Sequence, residues 1–289
     1  MASQRDIRRR IKSVKNTAQI TKAMQMVAAS RMRKAQQQAL AGRSYSDLLD
    51  QMAHSLFGHS GDVQHPLLQE RPVKKTLSLV ITTDKGLCGG LNGNLLREVL
   101  RADNPNKVYV TIGRKGRQSL ARAGRPLLAD FELKDGFTFR DSKIVSRYCL
   151  QQFENGDVDE IEVFYSKFVN TISQVPTRVR IAPIGSASLV SSKAAAEAAH
   201  AEGPTEYQFE PPAPELLGHL LPFYVHFEIY QYVLDARASE HSARMVAMKN
   251  ATDNAKQLVK DLTLQYNKAR QAAITTEILE IASAAAQDA

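Results

Sequence analysis

The sequence predicts a mixed α/β protein: a long antiparallel coiled coil of N- and C-terminal helices plus a central Rossmann-like α/β domain. Three observations carry this. Met1 to Ala41 and Phe223 to Ala289 contain neither glycine nor proline, apolar residues in both recur in steps of four and three, and the middle alternates strand-like with helix-like runs. At 1.5 Å per residue the two terminal segments could span roughly 60 and 100 Å, far beyond the ordinary domain helix of about 11–12 residues. Helices of that length need a partner along them.

The N-terminal helix, expected over 1–57, opens with Ile7, Ile11, Val14, Ala18 and Thr21, the seam spacing of a coiled coil. Ile20, Met24 and Val27 read as a stripe displaced around the helix, and the Arg and Lys residues fall largely off the seam. Through Arg43 the chain carries eleven of its 38 Lys/Arg and one of its 30 Asp/Glu, which leaves 27 against 29 for the remainder. The net charge of +8 therefore belongs to the first helix, and it implies a solvated face or a contact with nucleic acid, lipid or an acidic protein surface.

The central domain is expected over 75–185. Leu77 to Thr83 reads as a buried strand, and a glycine-rich turn leads into a helix over Leu91 to Leu100. Val108 to Ile112 is a second strand, followed by a helix over Arg117 to Arg122. Ser142 to Phe153 suits a helix, and Ile161 to Phe168 and Thr177 to Ile184 suit strands. This order predicts a largely parallel sheet. Residues 186–222, rich in proline and small side chains, read as a linker or extension, and 223–289 as the C-terminal helix. Its seam runs through Val225, Ile229, Tyr232, Ala236, Ser239, Ala243 and Val246, then Leu258, Leu262, Ala269 and Ala273.

Chemistry is conspicuously missing from the motifs. The turn Asp84 to Gly93 places glycines after a strand, where amides can meet a phosphate, but it is neither GxGxxG nor a GK[ST] loop. A tight turn, or a loop that contacts another protein, is the better reading. Cys88 and Cys149 lie far apart without CxxC spacing, and the seven histidines show no metal-ligand pattern. Met1 to Ser44 has no Phe, Tyr or Trp to stack on single-stranded bases. No apolar run approaches the ~20 residues of a membrane span.

Four segments then carry a resemblance. Ile7 to Thr17 continued by Ile20 to Ala35, Thr82-Thr-Asp-Lys-Gly-Leu-Cys-Gly-Gly-Leu-Asn92, Ala238 to Ala255, and Tyr266 to Ile278 are together similar to the gamma subunit of the rotary F-type, proton-translocating ATP synthase, in its bacterial form. The resemblance implies a central-stalk rotor that couples proton flow to ATP synthesis or hydrolysis and regulates the ATPase, with no catalytic residue, cofactor or metal of its own. Implied partners are an alpha–beta hexamer, the epsilon subunit and a ring of c subunits, on the cytoplasmic side of the bacterial inner membrane, with no nucleic acid and no small-molecule substrate. By position, Met24, Arg31, Arg33 and Lys34 match the flank facing acidic lobes of beta, and Arg270, Gln271 and Glu277 match the collar region. Tyr207, Phe209 and Glu210 match a segment near the c ring, whereas about 124–139 follows no motif. Two other classes predict different behaviour: a coiled-coil nucleic-acid binder and a nucleotide-dependent enzyme of the α/β domain.

Overall fold

The computed structural model describes residues 4–59, 65–184 and 212–287. They fall into two compact units: residues 1–29 with 244–289, and residues 30–243. Helix α1 (Gln4–His59) and helix α5 (Ala213–Gln287) each contribute to both units.

In the first unit α1 and α5 run antiparallel. The Gln4 side-chain amide donates to the Ala269 carbonyl (3.3 Å), and the hydroxyls of Thr21 and Thr252 lie 2.8 Å apart. Both contacts obey one register, since the partners are 17 residues apart on each helix. That register sets Ile11 level with Leu262, Val14 with Val259 and Ala18 with Ala255. From Met248 onward the less exposed positions of α5 are Met248, Thr252, Ala255, Val259, Leu262, Tyr266, Ala269 and Ala273, in alternating steps of four and three, with Ala251 beside them. Two expectations change here. Leu258, expected on the seam, is 47% exposed, and Val259 takes its place. Ile20 and Val27, expected to continue the stripe, are exposed, and the seam of α1 passes instead through Thr21, Met24 and Gln25 to Ala28.

The second unit is built on a five-stranded sheet whose strands, numbered along the chain, lie in the order third, second, first, fourth, fifth. Strands β1 (Thr76–Ile81), β2 (Lys107–Ile112), β3 (Leu127–Phe131) and β4 (Glu160–Phe168) are parallel, and β5 (Gln174–Ala182) is antiparallel to β4. Every residue of β1 and β2 is buried, as befits central strands covered on both faces. Helices α2 (Leu91–Arg101) and α3 (Arg114–Arg122) bear on one face, where Leu95, Val99 and Leu120 meet Val80, Tyr109 and Phe164. Helix α4 (Phe139–Glu154) covers the other face with α5, whose Leu217, Leu221, Val225, Ile229, Val233 and Ala236 join Leu79, Val110 and Val163. Helix α4 starts at a capping box: the Thr138 backbone N–H and its hydroxyl both donate to the Asp141 carboxylate at 2.8 Å.

Strand β3 lies in the stretch for which no element was expected. Helix α5 begins at Ala213, ten residues before Phe223, and takes Pro222 inside it, so residues 213–222 of the expected linker are helical. An interior proline costs about 3 kcal/mol. Leu217, Leu221 and Val225, all fully buried on one face, offset it at about 1.5–3 kcal/mol each. The remainder of the expected linker, 186–211, lies outside the described residues, as do Tyr207, Phe209 and Glu210.

Candidate partner-binding surfaces

The crevice at the carboxyl ends of β1 and β2, where an open α/β sheet ordinarily takes a ligand, is filled by the chain itself. Asp84 accepts from the Arg114 N–H at 2.9 Å, so a carboxylate already sits at the N-terminus of α3, where a phosphate would bind. Lys115 N–H donates to the Thr83 carbonyl and Gly116 N–H to the Thr82 hydroxyl. Gly113, at φ +99°, lies so close to Thr82 that a Cβ would stand 2.2 Å from its carbonyl oxygen. In the preceding turn, Asn92 accepts from Thr83 N–H and donates to the Thr83 hydroxyl and the Cys88 sulfur. These ties make the glycine-rich segment a tight structural turn.

Other chemistry-bearing side chains are likewise structural. Cys88 and Cys149 form no disulfide and are buried, and burial pushes the Cys149 thiol up to about 12. Glu162, a buried residue of β4, is held by Lys107 (2.6 Å), by Ser78 and by Arg178. His226 pairs with the Ser146 hydroxyl at 2.6 Å, and burial, with Lys143 and Arg147 nearby, lowers it to about 4. It is neutral at neutral pH. No group of three or more potential metal ligands occurs among the described residues.

The outer surfaces of the helices differ in kind. In the first unit Ile20, Met26, Val27, Leu258 and Leu264 are exposed, and the apolar side chains Ile274, Ile278 and Leu279 follow beyond Ala269, the residue level with Gln4. Met24 is half-buried on the seam, while Arg270, Gln271 and Glu277 are exposed. Twenty residues, about 30 Å of helix, separate Met24 from Gln4 and so from the level of Arg270. The structure therefore does not gather these residues into one site. They mark two levels of one surface.

In the second unit Arg31, Arg33 and Lys34 are exposed. Arg31 and Lys34 line one open cleft with Asp135, Phe137, Tyr230 and Arg237. Arg31 lies 3.3 Å from the Asp135 carboxylate, whereas Arg33 and Lys34 make no ion pair among the described residues. Asp135 also faces Lys85 at 3.8 Å and Arg237 at 4.0 Å, and its carbonyl accepts from Arg237 at 2.6 Å. Partial burial is the largest single influence on its carboxyl and raises it, but Arg31, Lys85 and Arg237 together bring it below its ordinary value. Asp135 was invisible to motif reading because its loop matches none.

A helix pair buried along one seam, with apolar and basic side chains turned outward, has the surface of a subunit of a larger assembly. Comparisons make the class specific. Residues 3–287 match the family model described as ATP synthase. The chain is 55% identical over 289 residues to the ATP synthase gamma chain of Methylacidiphilum infernorum and 50% identical over 289 residues to that of Opitutus terrae, each alignment covering 98% of both chains. Among solved structures it is similar to a chain of the central stalk and c-ring of Tetrahymena thermophila mitochondrial ATP synthase, with TM-score 0.63 and 26% identity over 80% of this chain and 99% of that one. A rotor chain of Euglena gracilis mitochondrial ATP synthase shares the fold, with TM-score 0.67 and 21% identity over 94% of this chain and 98% of that one. The chain belongs to the gamma-chain family of the ATP synthases, and its role is that of a non-catalytic central-stalk rotor subunit. No described helix is long and apolar enough to cross a membrane.

Proposed function

We propose that the paired helices turn as a shaft inside a hexamer of alternating alpha and beta subunits, with the α/β unit beside epsilon and the c ring. The observation that carries this reading is the one-sided burial of α5 beyond Met248: a seam of every third or fourth residue, with Leu258, Leu264, Ile274, Ile278 and Leu279 left exposed. Met24, Arg31, Arg33 and Lys34 meet the acidic lobes of beta; Arg270, Gln271 and Glu277 meet the collar; Tyr207, Phe209 and Glu210 meet the c ring. The chain works as a peripheral subunit on the cytoplasmic side of a bacterial inner membrane.

Rotation then acts as a mechanically imposed population shift. Each orientation of an asymmetric shaft contacts the three beta subunits differently, and only such differential contact moves a conformational equilibrium. Making one beta conformation dominant from a minor state takes about 5.5 kcal/mol of differential interaction. Several apolar and ionic contacts along the shaft supply that range, whereas a single exposed ion pair at about 0–1 kcal/mol does not. Co-expression with alpha and beta subunits tests the reading: an assembled ATPase containing this chain is expected, and failure to recover one overturns it.

A further inference from the structure

The loop between β3 and α4 carries a contact that this reading leaves unused. Asp135, 61% exposed, is approached by cations from three separately positioned elements: Arg31 of α1, Lys85 of the β1–α2 turn and Arg237 of α5. Arg31, Lys85 and Arg237 thus converge on one exposed carboxylate, and Lys34, without an ion pair among the described residues, lines the same cleft as Arg31 and Arg237. We infer that Arg31, Lys85 and Arg237 form a carboxylate cradle, filled by Asp135 in the free chain and taken over by an acidic side chain of the partner on assembly.

The physical case rests on exchange. Exposed ion pairs contribute little net stability and are screened by salt, so replacing the Asp135 carboxylate by another costs little. The Arg31 guanidinium is planar and offers donors in a fork, which suits a carboxylate presented from outside as well as the one it now holds. The cleft is open, with about 400 Å³ between Arg31, Lys34, Phe137, Tyr230 and Arg237, room for an incoming carboxylate side chain. Asp135 would thereby cover the cradle until an acidic partner displaces it, which favours acidic surfaces over chance neutral ones.

This inference rests on the reading that the Arg31 flank meets an acidic partner, and the test separates the two. Association of the full chain with an alpha–beta hexamer is followed by stopped flow at low and high salt for the natural chain, Arg31→Gln, Asp135→Asn and both together. Arg31→Gln is expected to slow association; no change would overturn the reading of that flank. Asp135→Asn is expected to speed association about threefold at low salt. The gain should shrink at high salt and in the Arg31→Gln background. If Arg31→Gln slows association while Asp135→Asn leaves it unchanged or slows it, the cradle is wrong and the flank reading stands. Amide exchange gives a second readout that needs no variant: Gly136 and Phe137 are expected to exchange faster in the hexamer complex than in the free chain, and unchanged or slower exchange overturns the displacement.

Discussion

Two stretches of helix α5 have the same backbone and opposite surroundings. From Leu217 to Ser242 the helix is covered on most sides, and Gln231, Asp235, Ser239, Glu240, His241 and Ser242 are buried along with the apolar residues. From Met248 to Ala273 burial follows one stripe of every third or fourth residue with Ala251 at its edge, and large apolar side chains face outward. The first stretch has its partners in its own unit: Gln231 donates to the Ala39 carbonyl, Ser239 to Ser166 and Ser242 to Thr171, and Tyr232 stacks on Tyr165. The second has one helix on one side. A helix buried all round is completed by its own fold, whereas a helix buried along a stripe, with Leu264 or Ile278 outside it, is built for a surface from elsewhere.

Substitutions should separate these two regimes. Val233→Asp places a charge in the fully covered stretch and is expected to cost at least about 4 kcal/mol, read as loss of the thermal transition of the α/β unit. Leu262→Asp in the seam is expected to cost about 2–3 kcal/mol, because one side of that helix already faces water. Its signature is faster amide exchange around Leu262 and Ile11, with protection of β1 and β2 retained. Cys88→Ala, in the other unit, should leave that exchange unchanged.

The pH response isolates the covered stretch. His226 is held near 4 when folded and titrates near 6.5 when unfolded, so the unfolded chain takes up the proton first. Its contribution is complete above pH 6.5 and is lost as pH falls toward about 4. His226→Gln should lose less stability than the natural chain over that window, and equal losses would remove His226 from the account. Smallest of all, Leu264→Ser is expected to change the free chain's stability by no more than about 0.5 kcal/mol, since the side chain is already exposed. It should still weaken assembly with the alpha–beta hexamer.

The seam of α1 from Ile7 to Thr21 was legible because each apolar step there coincides with a contact position. Leu258 misled because apolarity alone does not mark a buried position: on this helix apolar side chains stand both on the seam and outside it. Strand β3 was hidden because Leu127-Leu-Ala-Asp-Phe131 is short, contains no β-branched residue and is nowhere fully buried. The start of α5 was hidden by Gly218 and Pro222, local breakers overruled by packing on the sheet. Periodicity also could not tell that residues 217–236 close the core of the α/β unit, since core face and coiled-coil seam share one spacing. Arg31 was legible through charge and resemblance; Asp135, Lys85 and Arg237 were not, because convergence of three distant segments leaves no local signal.

Hydroxyl-radical footprinting of the chain alone and within the assembled ATPase tests the central claim most directly. In the free chain Leu264, Ile274, Ile278 and Leu279 should label strongly and Leu217, Ile229 and Val233 weakly. On assembly, labelling of the first group is expected to fall toward that of the second, which stays as it was. Equal labelling of the first group in the free and assembled states would contradict the account.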